Sequence, residues 1–193
     1  LCNEVMEHTM TPKLPLENIR VVEFCHVVMG PTCGLVLADL GAEVIKVEPL
    51  DGDHTRKLTA SGAGFFPTYN RNKKSIAVDL KSEQGRELVL KLIASADVVT
   101  ENFRPGTMDR LGLGYRALSE VNPRLIYAAL SGFGQSGPYS AMAAVDAVAQ
   151  AMGGTMSLNG EKDGPPMRVG VSMGDMVAGL YLSVGILAAL RAR

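Results

Sequence analysis

An alternation of short β-rich runs with helical segments constrains the fold of this chain more than any other feature of its sequence. The run Arg20–Phe24 (RVVEF) is followed by GPTCGLVLADLG, in which Pro31 suits a helix start and Gly41 suits its end. A second β-rich run, Glu43–Glu48 (EVIKVE), comes next. A strand, a helix and a strand within roughly thirty residues form a βαβ unit, which requires a parallel sheet and a right-handed crossover.

The same alternation continues along the chain. Three further runs are typical of strands, namely SIAVDL, DVVTE and LIYAAL at residues 75–80, 97–101 and 125–130. Between the first two of these, a helix is predicted to begin after Ser82, which is a suitable N-cap. The apolar face of that helix contains Leu88, Val89, Leu92 and Ile93.

The remaining segments fit the same architecture. Residues 49–72 are rich in Gly, Pro, Asp and Thr, which predicts a loop containing a short helical turn. A short helix is predicted to end near EVNPR, and another covers VDAVAQAMGG and stops at Gly153. We therefore predict an α/β fold, a Rossmann-like parallel sheet with flanking helices.

The last segment, residues 169–193, has one acidic residue, Asp175, followed by an uncharged run from 176 to 190. That run is shorter than the roughly 20 residues of a membrane span, so a buried helix is predicted and no membrane partner. A helix that is apolar on all sides must be covered by another part of the protein or by a partner.

Composition narrows the class of function. The chain has 193 residues, of which 47% are hydrophobic and 20% charged, with a net charge of −1. These values are typical of a globular domain and give no basic field for nucleic acid or an anionic membrane. We expect residues 1–14 to form a polar tail and residues 15–193 a single domain.

The chain start and the cysteines indicate a cytoplasmic protein. The first residues lack a charged n-region followed by an apolar h-region, so no signal peptide is predicted. Cys2, Cys25 and Cys33 have no metal-binding or redox spacing, which predicts reduced thiols and no metal site.

Functional side chains are expected in the loops that follow the strands, because parallel sheets bind ligands at the carboxyl ends of their strands. The sequence after the first strand, GPTCG, lacks the G-x-G-x-x-G fingerprint, and Pro31 has no N–H for a phosphate. A nicotinamide oxidoreductase is therefore disfavoured. His26 and His54 are candidates for catalysis, but each stands alone in sequence, which favours structural or solvated histidines.

Several cations follow the strands or lie in glycine- and proline-rich loops. They are either separate surface charges or, together, a site for a ligand with several phosphates. The residues concerned are Arg71, Lys73, Lys74, Lys81, Arg104 and Arg110.

Six motifs in order resemble one family: LENIRVVEFCHVVMGPTCGLVLADLGAEVIKVEP, YNRNKKSIAVDLK, ADVVTENFRPGTMDRLGLGY, NPRLIYAALSGFGQSGP, DAVAQAMGG and GDM. From residue 15 to the end, the chain is similar to the N-terminal part of the large domain of class III coenzyme A transferases. Formyl-CoA and carnitine-type transferases belong to that family, and α-methylacyl-CoA racemase is a relative.

The resemblance implies an activity and a set of site residues. Family members move CoA from an acyl-CoA donor to a free carboxylic acid through an aspartate, which corresponds to Asp175 in GDM. Acyl-CoA is a substrate, and no tightly bound cofactor is implied. The implied CoA contacts are Val28, Val78, Asp79, Leu80, Lys81, Asn102, Phe103, Arg104 and Arg110.

The resemblance also implies a larger assembly. Family chains are much longer, have a smaller second domain, and form an interlocked homodimer of rings threaded through one another. On this basis the present chain is expected to be truncated. The missing part or a partner chain would then cover the last helix.

Asp175 is expected to act through its position and its charge. At the start of the last helix, backbone N–H groups are expected to stabilise its carboxylate and a developing oxyanion. A pKa near the reference value of about 3.9 would keep it ionised without a general base. The alternative from spacing alone is that Asp175 is only an N-cap.

Departures from the family pattern leave the substrates open. Val28 stands where some transferases have glutamine, Pro49 where some have arginine, and Ala143 where formyl-CoA transferase has lysine. Formyl-CoA is therefore a doubtful donor. The alternatives are an acyl-CoA racemase and a non-catalytic CoA-binding or assembly module. The racemase is disfavoured because Val145-Asp146 stands in place of its His-Asp pair.

Overall fold

The computed structural model describes residues 13–193, so Cys2, His8 and most of the predicted polar tail lie outside the described part. Five parallel strands form one sheet in the order β3-β2-β1-β4-β5. They are β1 (Arg20–Phe24), β2 (Glu43–Glu48), β3 (Lys74–Ala77), β4 (Val98–Glu101) and β5 (Ile126–Ala129). This arrangement confirms the predicted Rossmann-like α/β fold.

Helices cover both faces of the sheet. They are α1 (Met29–Asp39), α2 (Phe65–Asn70), α3 (Glu83–Ala94), α4 (Thr107–Arg110), α5 (Tyr115–Val121), α6 (Asp146–Met152) and α7 (Met173–Ala192). Short 3-10 turns cover His54–Lys57, Ala60–Gly62 and Thr155–Leu158. The segment 49–72 therefore contains two 3-10 turns and α2, which is more helix than the sequence predicted.

Strand bounds follow the predictions closely except at β3. Both β1 and β2 have the predicted bounds, whereas β3 ends at Ala77 instead of residue 80. The Asp79 carboxylate accepts a 2.9 Å hydrogen bond from the backbone N–H of Lys81, and Ser82 N–H bonds to Asp79 O. This turn ends the strand and leads into α3, where Ser82 is the predicted N-cap and accepts from Gly85 N–H at 3.0 Å.

Alternation along β1 builds two hydrophobic cores, one on each side of the sheet. One core includes Val22 with Val89 and Ile93 of α3, and the other includes Val21 with Leu37 of α1 and Ile186 of α7. Leu88, predicted on the buried face of α3, is instead 43% exposed, because α3 buries only a narrow stripe.

Helix α7 packs closely against α1 through Gly179. An added Cβ there would lie 2.5 Å from Met29 O and 2.7 Å from Thr32 Cβ, so only glycine fits. At Gly185 an added Cβ would have no neighbour within 4 Å.

Helix α7 is longer than the uncharged run suggested. It has 20 residues. An 18-residue stretch of the helix has a mean hydropathy of 1.7, and 17% of that stretch is buried. Among residues 13–193 it is the one helix long and apolar enough to cross a membrane, so the argument from length against a span is wrong. Its exposed large apolar side chains are Met173, Val177, Leu180, Tyr181 and Val184.

Candidate active site

The centre of the sheet is the point where the strand order reverses, and it brings two loops together. After β1 the chain goes to β2 on one side, whereas β4 pairs with β1 on the other side. The backbone N–H of His26 donates to Asn102 Oδ1 at 2.9 Å, and Asn102 Nδ2 donates to His26 O at 2.9 Å. Open α/β sheets bind ligands at such a switch point.

A cavity of about 640 Å³ opens at this switch point. The β1 loop contributes His26, the β4 loop contributes Asn102 to Arg104, and the start of α7 contributes Asp175. A second hollow of about 710 Å³ lies between α6 and α7, but no charged side chain lines it. The chemistry of the fold therefore points to the first cavity.

Asp175 is the third residue of α7, since the helix begins at Met173 and Ser172 is its N-cap. The alternative that Asp175 is itself the N-cap is therefore wrong. Its predicted place at the start of the apolar helix is confirmed. A Cβ on Gly174 would lie 3.2 Å from Asp146 Oδ1, so this glycine lets α7 approach α6.

Asp146 is buried and holds the first turn of α7. Its Oδ1 accepts hydrogen bonds from the backbone N–H of Gly174 at 2.8 Å and of Asp175 at 3.4 Å. Its Oδ2 accepts a hydrogen bond from Gln150 Nε2 at 2.8 Å. The N–H groups expected to stabilise Asp175 thus bind Asp146 instead.

The electrostatic setting of Asp175 makes its carboxylate more basic than an ordinary one. Burial, and secondly the nearby Asp146, raise the pKa of Asp175 to about 6. The expectation of an ordinary value was wrong because the sequence does not show the desolvation at this position. At neutral pH most Asp175 carboxylates are still ionised.

The residues expected to contact CoA occupy two distinct places. Asn102, Phe103 and Arg104 line the cavity beside Asp175. Val28 is buried at the start of α1, between Val27 and Met29, which line the cavity.

The other expected CoA contacts lie outside the cavity wall. Val78 is buried in the core, and Asp79, Leu80 and Lys81 form the turn after β3 on the same carboxyl edge of the sheet. Arg110 donates from Nη2 to Thr107 Oγ1 at 2.9 Å, and Thr107 lines the cavity.

Three cations of the NRNKK motif are bound within the protein. Lys73 is buried and lies 2.9 Å from Glu23 Oε2. Arg71 pairs with Asp39, and Lys74 Nζ lies 2.5 Å from Glu43 Oε1. Of the six cations noted in the sequence, Arg104 lines the cavity directly. The six cations therefore do not form a single site for a ligand with several phosphates.

His26 and Arg168 line the cavity, although the sequence did not assign either of them to a ligand site. His26 is not isolated, because its ring stacks on Phe103 at 5.5 Å and lies 6.0 Å from the His54 ring. Burial lowers the pKa of His26, which keeps it neutral at neutral pH. Its position directly after β1 is a signal that could have identified it. Arg168 also lines the cavity, and no local pattern identifies it.

The cysteines within the described residues are free thiols. Cys25 and Cys33 are buried and unpaired, as predicted. Burial raises the pKa of both, to about 11 for Cys33, so neither is a reactive thiolate.

A comparison with known protein families identifies the family to which this chain belongs. A family model described as CoA-transferase family III matches residues 16–193. The chain belongs to CoA-transferase family III. This confirms the family resemblance that the six sequence motifs carry.

Individual members of CoA-transferase family III show the same relationship. The acetyl-CoA:oxalate CoA-transferase of Acetobacter aceti is 46% identical over 187 residues, covering 94% of this chain and 48% of that protein. The succinate–glutarate CoA-transferase of Agrobacterium fabrum is 46% identical over 189 residues, covering 92% of this chain and 47% of that protein. The chain thus spans about half the length of the curated relatives it matches.

A solved member of the family has the same fold. The crystal structure of a CAIB/BAIF family protein from Brucella suis matches with a TM-score of 0.90 and 45% sequence identity. The match covers 94% of this chain and 50% of that chain. This class III fold agrees with the parallel sheet and flanking helices described above.

Proposed function

We propose that the complete gene product transfers CoA from an acyl-CoA donor to a free carboxylic acid through a covalent intermediate on Asp175. The observation that carries the proposal is the position of Asp175. Its half-buried carboxylate, with a pKa raised to about 6, lies at the wall of the switch-point cavity. The names of the relatives from Acetobacter aceti and Agrobacterium fabrum support the reaction class.

The first half of the reaction moves CoA onto the enzyme. A carboxylate oxygen of Asp175 attacks the thioester carbonyl carbon, the C–S bond breaks, and CoA leaves as a thiolate. The thiolate then attacks the aspartyl carbonyl of the resulting mixed anhydride. The donor acid leaves as its carboxylate, and an aspartyl-CoA thioester remains. Dividing the exchange into such steps is ordinary covalent catalysis.

The second half repeats these steps in reverse with the acceptor acid. The acceptor carboxylate attacks the aspartyl thioester and releases CoA thiolate, which forms a second mixed anhydride. The thiolate attacks the acceptor's acyl carbon and regenerates the carboxylate of Asp175. No step transfers a proton, so the reaction needs no general base.

The environment of Asp175 suits this role. A carboxylate with a pKa of about 6 is a better nucleophile than an ordinary one and is still mainly ionised at pH 7. Asp146 fixes the first turn of α7 through the backbone N–H of Gly174. Asp175 therefore presents its carboxylate from a backbone that is held in place.

CoA is proposed to lie along the carboxyl edge of the sheet as a substrate, with no tightly bound cofactor. Asn102, Phe103 and Arg104 line the cavity. We propose that these residues contact CoA, together with Val28, Val78, Asp79, Leu80, Lys81 and Arg110. The exposed charge of Arg104 offers donors that suit a phosphate.

The larger assembly also remains a proposal. The exposed apolar side of α7, which includes Leu180 and Tyr181, suits burial by a second copy of the protein or by its remaining part. We propose an interlocked homodimer with a cytoplasmic location, in which residues 15–193 form the first part of the large domain.

Within residues 13–193, a valine stands at the position where the racemase relatives are expected to carry a histidine. Exchange of the proton beside a thioester by two bases needs one acid–base group on each side of the carbon. Helix α6 begins after Val145, whose side chain has no acid–base group. Asp146, the next residue, is buried and hydrogen-bonded to Gln150 and Gly174. CoA transfer therefore fits the site better.

A transfer assay tests the proposal. The complete gene product is incubated with an acyl-CoA and a panel of carboxylic acids, and new thioesters are detected by liquid chromatography and mass spectrometry. We expect new acyl-CoA with the wild type and a loss of at least about a thousandfold in kcat for Asp175→Ala. Asp163→Asn is the matched control, because Asp163 is exposed and asparagine tolerates its φ of 65°. Equal activity of Asp175→Ala and wild type would contradict the proposal.

A further inference from the structure

Arg168 is a second arginine on the wall of the switch-point cavity, on the segment that leads into α7. Among residues 13–193, its guanidinium donates only to neighbouring backbone oxygens, from Nε to Val169 O at 3.3 Å and from Nη2 to Gly170 O at 3.5 Å. Within residues 13–193, no ion pair of 4.0 Å or less joins Arg168 to an acidic side chain. Its charge and most of its donors are therefore available to a ligand.

Four other arginines, in contrast, form ion pairs with acidic side chains of the protein. Arg20 pairs with Glu43 at 2.6 Å, and Arg56 pairs with Glu48 at 2.7 Å. Arg71 and Arg193 also bind carboxylates within the protein. An arginine on a cavity wall without such a partner is suited to an anion that enters the cavity.

The backbone beside Arg168 is held by the same residue that orients Asp146. The N–H of Val169 donates to Gln150 Oε1 at 2.9 Å. The amide Nε2 of that buried glutamine donates to Asp146 Oδ2 at 2.8 Å and to Val171 O at 3.3 Å. These hydrogen bonds therefore fix the position of the backbone next to Arg168 relative to the first turn of α7, which carries Asp175.

We propose that Arg168 binds the second carboxylate of a dicarboxylic acid, whose first carboxylate exchanges CoA at Asp175. This inference rests on the proposed function. The reacting carboxylate must attack a thioester, and pairing it with an arginine would reduce its nucleophilicity. A distal carboxylate takes no part in the bond changes, so it can accept the two parallel N–H donors of a guanidinium.

Charge in the cavity favours the same assignment. Asp146 and Asp175 are both on its wall, so a substrate with two negative charges needs a nearby cation. Arg104 is on the β4 loop at the sheet edge, where CoA is proposed to bind. Arg168 comes instead from the segment next to the nucleophile. A phosphate of CoA is the other anion that Arg168 could meet, and the test separates the two.

The test compares acids that differ only in the second carboxylate. Transfer by the complete gene product is measured with succinate against butyrate, and with glutarate against pentanoate, for wild type and Arg168→Gln. We expect KM for the dicarboxylates to rise about tenfold to a hundredfold, with less than about a twofold change for the monocarboxylates. Arg168→Lys retains the charge but not the paired donors and should fall between. Arg116→Gln, a change of another exposed arginine on α5, should behave as wild type.

Calorimetric titration with free CoA completes the test. Its affinity should be the same in Arg168→Gln and wild type, and weaker binding in the variant would assign Arg168 to a CoA phosphate and overturn the inference. An unchanged ratio of dicarboxylate to monocarboxylate kcat/KM would also overturn it. A wild-type protein that transfers CoA to no acid would contradict the proposed function itself. Thermal unfolding of both Arg168 variants checks that they fold.

Discussion

Asp146 Oδ1 accepts a hydrogen bond of 3.4 Å from the backbone N–H of Asp175, so one acidic residue holds the turn that presents the other. The same oxygen accepts a shorter bond of 2.8 Å from Gly174 N–H. These contacts use backbone groups only and leave the carboxylate of Asp175 at the cavity wall. They also place a second negative charge near the proposed nucleophile.

Asp146→Asn is expected to shift the acid limb of the pH–activity profile. Asp175 must be ionised to attack, so kcat/KM falls as the pH drops below about 6. Removing the Asp146 charge removes the second cause of the raised pKa of Asp175 while burial remains, so the limb should move to lower pH. The asparagine Oδ1 can still accept from Gly174 N–H. A limb that stays in place would show that Asp146 does not act through its charge.

The packing of α7 against α1 is tested by two glycine substitutions in the same helix. Gly179→Ala should destabilise the fold by about 1–3 kcal/mol, because its Cβ would lie 2.5 Å from Met29 O. Gly185→Ala is the matched control and should stabilise the fold by about 0.5–1 kcal/mol, since no atom lies within 4 Å and alanine favours helix. Urea unfolding of both variants measures the difference. Similar effects at the two sites would refute the described contact.

Two arginines near the β4 loop are expected to differ in their effect on CoA affinity. Arg104 lines the cavity, whereas Arg110 reaches it only through Thr107, to which it donates at 2.9 Å. Arg104→Ala should weaken CoA binding by about 1–3 kcal/mol, and Arg110→Ala should weaken it less. Calorimetric titration measures both, with Arg116→Ala as the control. Unchanged affinity in both variants would place these residues on the solvated surface.

The sheet could be predicted from the sequence because its central strands are buried runs with clear bounds. β1 contains two consecutive valines and β2 contains a valine followed by an isoleucine, and both strands have the bounds that the sequence predicts. At β3, however, the Asp79 side chain starts a turn inside an apolar run and ends the strand early. Periodicity does not show such a local hydrogen bond.

The site could be predicted only in part. The family motifs pointed to Asp175 and to the β4 loop, and the fold brings both to one cavity. The raised pKa of Asp175 and the position of Arg168 depend on contacts between distant segments, which no local pattern contains. Likewise, the Lys73 side chain is buried against Glu23, so it is not available to bind the phosphates of a ligand, as the sequence allowed.

The choice between transferase and racemase is tested by isotope exchange. The complete gene product is incubated with a 2-methylacyl-CoA in deuterated water and monitored by NMR. We expect no deuterium at the α-carbon, because Val145 carries no acid–base group, while CoA still moves between two acids. His26 lines the cavity and is the one histidine there among the described residues. If deuterium exchange occurred, its loss in His26→Gln would identify His26 as the base. Rapid deuterium uptake without CoA transfer would contradict the account.

The most direct test of the central claim is chemical trapping of the intermediate on Asp175. The complete gene product is incubated with acyl-CoA and then with hydroxylamine, which converts an aspartyl thioester or anhydride to a hydroxamate, and the peptides are mapped by mass spectrometry. We predict a hydroxamate on the peptide that contains Asp175, formed only when acyl-CoA is present and absent in Asp175→Ala. An unmodified Asp175 under conditions of active CoA transfer, with the label on another residue, would contradict the proposed mechanism.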